Sequence, residues 1–349
     1  MTAEAMKPMT TPSRVSVIGL GKVGSAMVAA YASRGFPVVG TDRDPSLVEC
    51  IGLHEAPYEE QDLAKLLSEN RERIRCVATT AEAVLQSDIS FIIVPTSSAA
   101  DGTFSTQYVE AACRDVGSAL RDKSTYHLVV VVSTILPSDS VERIIPALES
   151  TSGKRVGADF GYAYSPSFIA IGSIIRNILY PDFHLVGEYD KRSGDMLQAF
   201  YEKTCINEAP VERMSVESAE IAKIALNSYV TQKITFANVL ADLCSRVPNA
   251  DVDSVTHALA WTGASAPPTF PAAWDMGGRA FREITGLSPN RQAAMELPCA
   301  WLNTYICTTR ASSIMYLTKY SRLCRAPRPL LCSVYHTSRT LTSRMKRRA

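Results

Sequence analysis

The sequence predicts an α/β fold: a doubly wound parallel sheet with helices on both faces, followed by one long helix. Three observations predict it. Short apolar runs of strand length alternate with stretches of helical periodicity. A glycine-rich turn joins the first strand to the first helix, and residues 215–246 contain neither Gly nor Pro.

Residues 14–20 (RVSVIGL) form an apolar run that ends in glycine and read as a buried strand. Residues 22–34 read as a helix with Val23, Met27, Ala30 and Tyr31 on one face, stopped by Gly35. Residues 37–41 are the next strand, ending at Asp42. Residues 91–94 and 128–132 are two more buried strands, each leading into a polar turn, Pro95-Thr96 and Ser133-Thr134. Residues 184–187 close the sheet. In the break-free stretch 215–246, Ile221, Ile224, Ala225, Ile234, Val239 and Leu243 recur at helical spacing, which predicts one long helix ended near Pro248. A second helix is expected over 252–260. After Trp261, Pro267, Pro268, Pro271, Gly277 and Gly278 break any regular element, and periodicity is lost.

The chain has 349 residues, a net charge of +1, 46% hydrophobic and 20% charged residues. That balance excludes a disordered chain, a collagen-like repeat and a membrane bundle. The charge is unevenly spread. Residues 291–349 hold eleven Lys and Arg against one acidic residue, Glu296, so the preceding body is net acidic. The same tail carries Cys299, Cys307, Cys324 and Cys332, four of the nine cysteines. The cysteines of the body have no CxxC spacing, so neither a metal site nor a disulfide framework is expected. No apolar leader opens the sequence and no run is long enough to span a bilayer, so a cytoplasmic protein without a membrane partner is expected.

Gly19-Leu-Gly21-Lys-Val23-Gly24 carries the most specific local chemistry. Gly19 makes the tight turn, Gly21 lets backbone approach a pyrophosphate, and Gly24 lets helix pack on strand. The helix start, with Val23 in its first turn, offers N–H groups and a positive dipole end to the phosphates. Asp42 ends the second strand, where a carboxylate accepts both ribose hydroxyls, and this favours NAD over NADP. Arg43 beside it weakens that preference.

Further segments resemble the UDP-glucose/GDP-mannose dehydrogenase family. They are FIIVPT at 91–96 with DGTF at 101–104, STILP at 133–137, SPSF at 165–168 with Gly172, PDFHLVG at 181–187, and EIAKIALN at 220–227 continuing to Asn238. The resemblance covers about residues 14–260. It implies a Rossmann-type NAD-binding domain at 1–205 and a central helical domain at 206–261 that builds a homodimer. It also implies a nucleotide-sugar substrate whose CH2OH is oxidised to a uronate for polysaccharide biosynthesis. A cysteine thiolate would hold the aldehyde-level intermediate through two NAD-dependent steps. Lys223 and Asn227 would be active-site residues, Thr96 and Thr134 would contact the cofactor, and Thr134 would also stand near the substrate. Lys223 and Asn227 lie four apart and share one helix face, where an ammonium and an amide suit a developing oxyanion. Ser167 departs from the family, which carries Glu there.

The family places its cysteine in a segment of the type GYGGPCFPRD after the central helices. This chain has AWDMGGRAFREI at 273–284. Read one base out of register, Thr262 is forced to Asp and Asp275 and Gly277 are each forced to Gly. The genetic code permits the whole family motif. A frameshift near Trp261 is therefore expected, with the second α/β domain of the family missing or replaced. The basic stretch 262–349 then needs no nucleic-acid partner, and no native fold is expected for it.

Overall fold

The computed structural model describes residues 12–96, 105–169 and 172–260. The DGTF segment and everything from Trp261 onward lie outside the described residues. The chain divides into two compact units, Met1–Asn227 and Ser228–Ala349.

The first unit is built on an eight-stranded sheet. Its strands are β1 (Val15–Ile18), β2 (Val38–Thr41), β3 (Ile74–Cys76), β4 (Ile89–Ile92), β5 (Leu128–Val131), β6 (Gly161–Tyr164), β7 (His184–Glu188) and β8 (Val211–Ser215). The spatial order is β3-β2-β1-β4-β5-β6-β7-β8. Its first six strands, 3-2-1-4-5-6, are the order of a dinucleotide-binding sheet whose direction of winding reverses between β1 and β4. Val17 pairs with Gly40 of β2 on one side and Phe91 of β4 on the other.

Because successive side chains point to opposite faces, each apolar strand feeds two cores. Val15, Val17, Phe91, Leu128 and Val130 enter the core beneath α1 (Lys22–Ser33). Ile18, Ile92, Val129 and Val131 enter the core on the opposite face. The helices that follow are α2 (Pro45–Gly52), α3 (Leu63–Glu69), α4 (Thr80–Leu85), α5 (Gln107–Asp122), α6 (Ile145–Ser152), α7 (Ile174–Leu179) and α8 (Lys191–Thr204). α1 is buried along its whole length from Gly24 to Ala32, not along one face.

Three features correct the sequence reading. The sheet is not wholly parallel, because β6 and β7 pair antiparallel. The chain turns back at the carboxyl end of β6 and enters β7 from that end, with only the six-residue α7 between them and no crossover. β3, β6 and β8 were not expected. The sheet also runs past residue 205, since β8 pairs in parallel with β7.

α9 (Val216–Arg246) is the expected long helix and crosses from one unit into the next. Its buried residues are Val216, Ala219, Glu220 and Lys223, while Ile221 is exposed. In the second unit the rest of α9 exposes Tyr229, Val230, Ile234 and Phe236, and α10 (Val252–Ala260) exposes Val255 and Leu259. Among the described residues, no helix is long and apolar enough to cross a membrane.

Candidate functional site

A cleft of about 910 Å³ opens at the carboxyl ends of β1 and β4, lined by Gly19, Gly21, Val23, Gly24, Asp42 and Tyr58 among others. Gly19 has φ +103°, and a Cβ there would collide with the Ile93 carbonyl at the end of β4. A Cβ on Gly24 would overlap the Gly19 carbonyl, so helix and turn close on each other only without side chains. A Cβ on Gly21 would meet nothing within 4 Å. The middle glycine therefore presents bare backbone to the cleft, and no side chain caps the first turn of α1. Free N–H groups at that end of a buried helix suit an anion.

Asp42 braces this turn. Its Oδ2 accepts the Leu20 N–H at 2.6 Å and its Oδ1 accepts the Asp44 N–H at 2.8 Å. Each carboxylate oxygen keeps a second lone pair, so the brace leaves acceptors for ribose hydroxyls. The Arg43 guanidinium lies 4.7 Å from the centre of the Tyr108 ring, which also lines the cleft.

The carboxyl ends of β4 and β5 are stitched together beside the cleft. Ser133 Oγ accepts the Val94 N–H at 2.8 Å and donates to the Val94 carbonyl at 2.7 Å. Thr134 and Thr96 follow these two residues closely, and both are half-buried.

α9 then reaches two of the loops at this edge. Glu220 is wholly buried, with Oε2 accepting the Ser138 N–H at 2.6 Å and Oε1 the Ser140 N–H at 3.0 Å. These amides belong to the turn that begins at Ser133-Thr134. Burial pushes the Glu220 carboxyl above its ordinary pKa, against the pull of its hydrogen bonds. Lys223, one turn on, donates from Nζ to the Ser167 carbonyl at 2.7 Å and stands 4.7 Å from the Phe168 ring centre. Burial lowers its pKa. Asn227 follows one turn later and is exposed. The two charged residues of the motif thus do not form a surface ion pair. One holds the loop after β5 and the other holds the loop after β6.

Sequence reasoning gave Glu220 no role of its own. The signal was present, as a carboxylate one turn before Lys223 on a mostly apolar helix. The departure at Ser167 leaves the Lys223 contact intact, because the acceptor is a backbone carbonyl.

Residues 13–205 match the NAD binding domain of the UDP-glucose/GDP-mannose dehydrogenase family, and residues 217–294 match its central domain. The chain belongs to this family. NAD is the cofactor that the matched domain takes, and the open glycine cradle with Asp42 beside it fits it. The central-domain match runs beyond residue 260, where the motifs had ended the resemblance.

GDP-mannose 6-dehydrogenase of Pseudomonas aeruginosa is 37% identical over 236 residues, covering 67% of this chain and 53% of that protein. UDP-glucose 6-dehydrogenase AglM of Haloferax volcanii is 31% identical over 274 residues, covering 78% and 63%. The chain thus spans about half the length of the GDP-mannose 6-dehydrogenases it matches. Among solved structures, a ternary complex of GDP-mannose dehydrogenase from Pseudomonas aeruginosa superposes with a TM-score of 0.68 at 35% identity, covering 71% of this chain and 57% of that one. A UDP-glucose dehydrogenase from Pyrobaculum islandicum gives 0.67 at 33% identity, covering 73% and 58%.

Proposed function

We propose that the chain is a nucleotide-sugar dehydrogenase by descent, built to oxidise the CH2OH of a UDP-glucose- or GDP-mannose-type substrate, and that it binds NAD without completing the oxidation. The observation that carries the first half is the junction at α9. Glu220 and Lys223 tie both carboxyl-end loops of β5 and β6 to the helix that also bears Asn227.

NAD, when bound, would supply the hydride acceptor for this chemistry. Gly21, Val23 and Gly24 would hold its pyrophosphate by backbone N–H groups, Gly19 makes the turn with its own N–H on the Thr41 carbonyl, and Asp42 would accept hydrogen bonds from the ribose hydroxyls. Thr96 and Thr134 stand at the strand ends toward the reacting side. Lys223 and Asn227 stabilise negative charge developing on the sugar carbon's oxygen. The central helix pairs with a second copy, a reading supported by the exposed Tyr229, Val230, Ile234 and Phe236.

The second half rests on the cysteines. No Cys stands in the stretch 262–284, where the family sets its glycine-cradled thiol. Among the described residues, burial raises the pKa of Cys50 and Cys113 and takes Cys76 up to about 11, the opposite of an activated nucleophile. The changed codon register near Trp261 belongs to this proposal. Independent DNA reads showing one unbroken frame across that codon would overturn that part.

Turnover tests the whole reading. NAD titrated into the purified chain is expected to bind. GDP-mannose, tried first because its dehydrogenases share more identity, and then UDP-glucose are expected to yield no NADH absorbance. Two NADH per sugar would show that the covalent step survives. Failure to bind NAD would sink the reading of the cleft.

A further inference from the structure

We propose that Glu60 is a positioning residue that couples the cofactor cleft to the segment following β6. It rests on the reading of the β1–β4 cleft as the NAD site. Glu60 lies in the loop between α2 and α3. Its Oε2 accepts the Gly172 N–H at 3.1 Å and its Oε1 accepts the Ile174 N–H at 2.7 Å. One carboxylate thus fixes two backbone amides more than a hundred residues away, at the entry to α7. The beginning of the same segment is fixed from the other side by Lys223, through the Ser167 carbonyl. Between these contacts lie Phe168 and Ile169, which line a separate cavity of about 320 Å³ with Asn177 and Ile178.

The link to the cofactor is Tyr58. Its side chain lines the cleft, and only Glu59 separates it from Glu60. The loop has little slack: Asp62 already holds φ 64° as it enters α3. A ligand that settles against Tyr58 therefore bears on the carboxylate that holds Gly172 and Ile174. Hydrogen bonds from two amides to one carboxylate are strong and directional, so they transmit a shift of Glu60 to Gly172 and Ile174. NAD in the cleft and order at 172–174 then share one free energy, and each strengthens the other.

Amide hydrogen exchange on the full chain, with and without saturating NAD, tests this. In the unsubstituted chain NAD is expected to slow exchange in the peptide containing Gly172 and Ile174 by about fivefold or more. Glu60→Gln, with one carbonyl oxygen in place of two, is expected to exchange faster there and to lose the NAD effect. Unchanged protection in peptides from β1 and β4 reports that the variant is folded. Should it not fold, Tyr58→Leu decides: at NAD saturation the slowing at 172–174 is expected to disappear. Two results overturn the proposal and leave the cleft reading standing. One is exchange at 172–174 indifferent to NAD although titration shows it bound. The other is a Glu60→Gln chain, or in its absence a Tyr58→Leu chain, that retains the NAD effect. No NAD binding at all overturns both.

Discussion

Glu220 shows what a single buried carboxylate can do without a cation beside it. Its two oxygens take two backbone N–H groups from one turn, and among the described residues no side chain forms an ion pair with it. Ser138, at φ 74°, is held in a conformation that residues with a Cβ adopt reluctantly. The carboxylate offsets that cost by satisfying the Ser138 and Ser140 amides, which would otherwise be lost to water inside the fold. Glu220→Gln keeps the volume but turns an NH2 toward one of those donors. Leaving a buried N–H unpaired costs about 1–3 kcal/mol, so urea unfolding should show a loss of that size. An unchanged unfolding free energy would mean that the carboxylate does not hold the turn that starts at Thr134.

The elements differ in how far the sequence reveals them, and the reason is locality. The glycine turn was legible residue by residue because each glycine meets a neighbour fixed by the strand–turn–helix unit itself. Gly24 faces Gly19, and Gly19 faces the end of β4. β4 was read two residues late, at 91–94, because Ser90 interrupts its apolar run, while β5 was legible as an unbroken apolar run buried on both faces. β3 was not, since it has three residues and Arg75 sits among them. β6 is four residues with a glycine at its start, and β8 is a half-exposed edge strand carrying Glu212 and Arg213. α9 was found at almost its true length, but its apolar spacing did not mark the residues buried in the first unit. Val216, Ala219, Glu220 and Lys223 face inward because the partners of the two charged groups are backbone atoms at Ser138, Ser140 and Ser167. Backbone groups leave no mark in residue identity, so the motif could be read while its partners could not.

At the scale of the whole molecule, a buried polar chain makes stability depend on pH. His127, Ser90, Ser16 and Ser87 are all fully buried. His127 Nδ1 lies 3.2 Å from the Ser87 carbonyl, which can only accept, so Nδ1 carries the proton. Nε2 is then an acceptor, 2.7 Å from Ser90 Oγ. Ser87 Oγ donates to Ser16 Oγ at 2.9 Å, and Ser16 and Ser90 share a bond of 2.6 Å, so the hydroxyls run in one direction and end on the imidazole lone pair. Protonating Nε2 would reverse that chain inside the core. Burial, with the Lys123 ammonium nearby, lowers the His127 pKa to about 3 from its ordinary 6.5. The unfolded chain takes up this proton below pH 6.5 and the folded chain does not until about pH 3, so stability falls as pH drops through that window. The limiting slope for one such group is about 1.4 kcal/mol per pH unit. His184, lowered to about 4 by burial, adds a second contribution of the same sign. Glu220, raised by burial, acts oppositely above pH 4.5. It is common to the parent and a His127→Gln variant and cancels between them. Urea unfolding measured at steps from pH 6.5 to pH 4.5 is therefore expected to give the variant the shallower decline, by up to one proton's slope. Parallel declines in the two chains would mean that His127 does not stay neutral in the folded core.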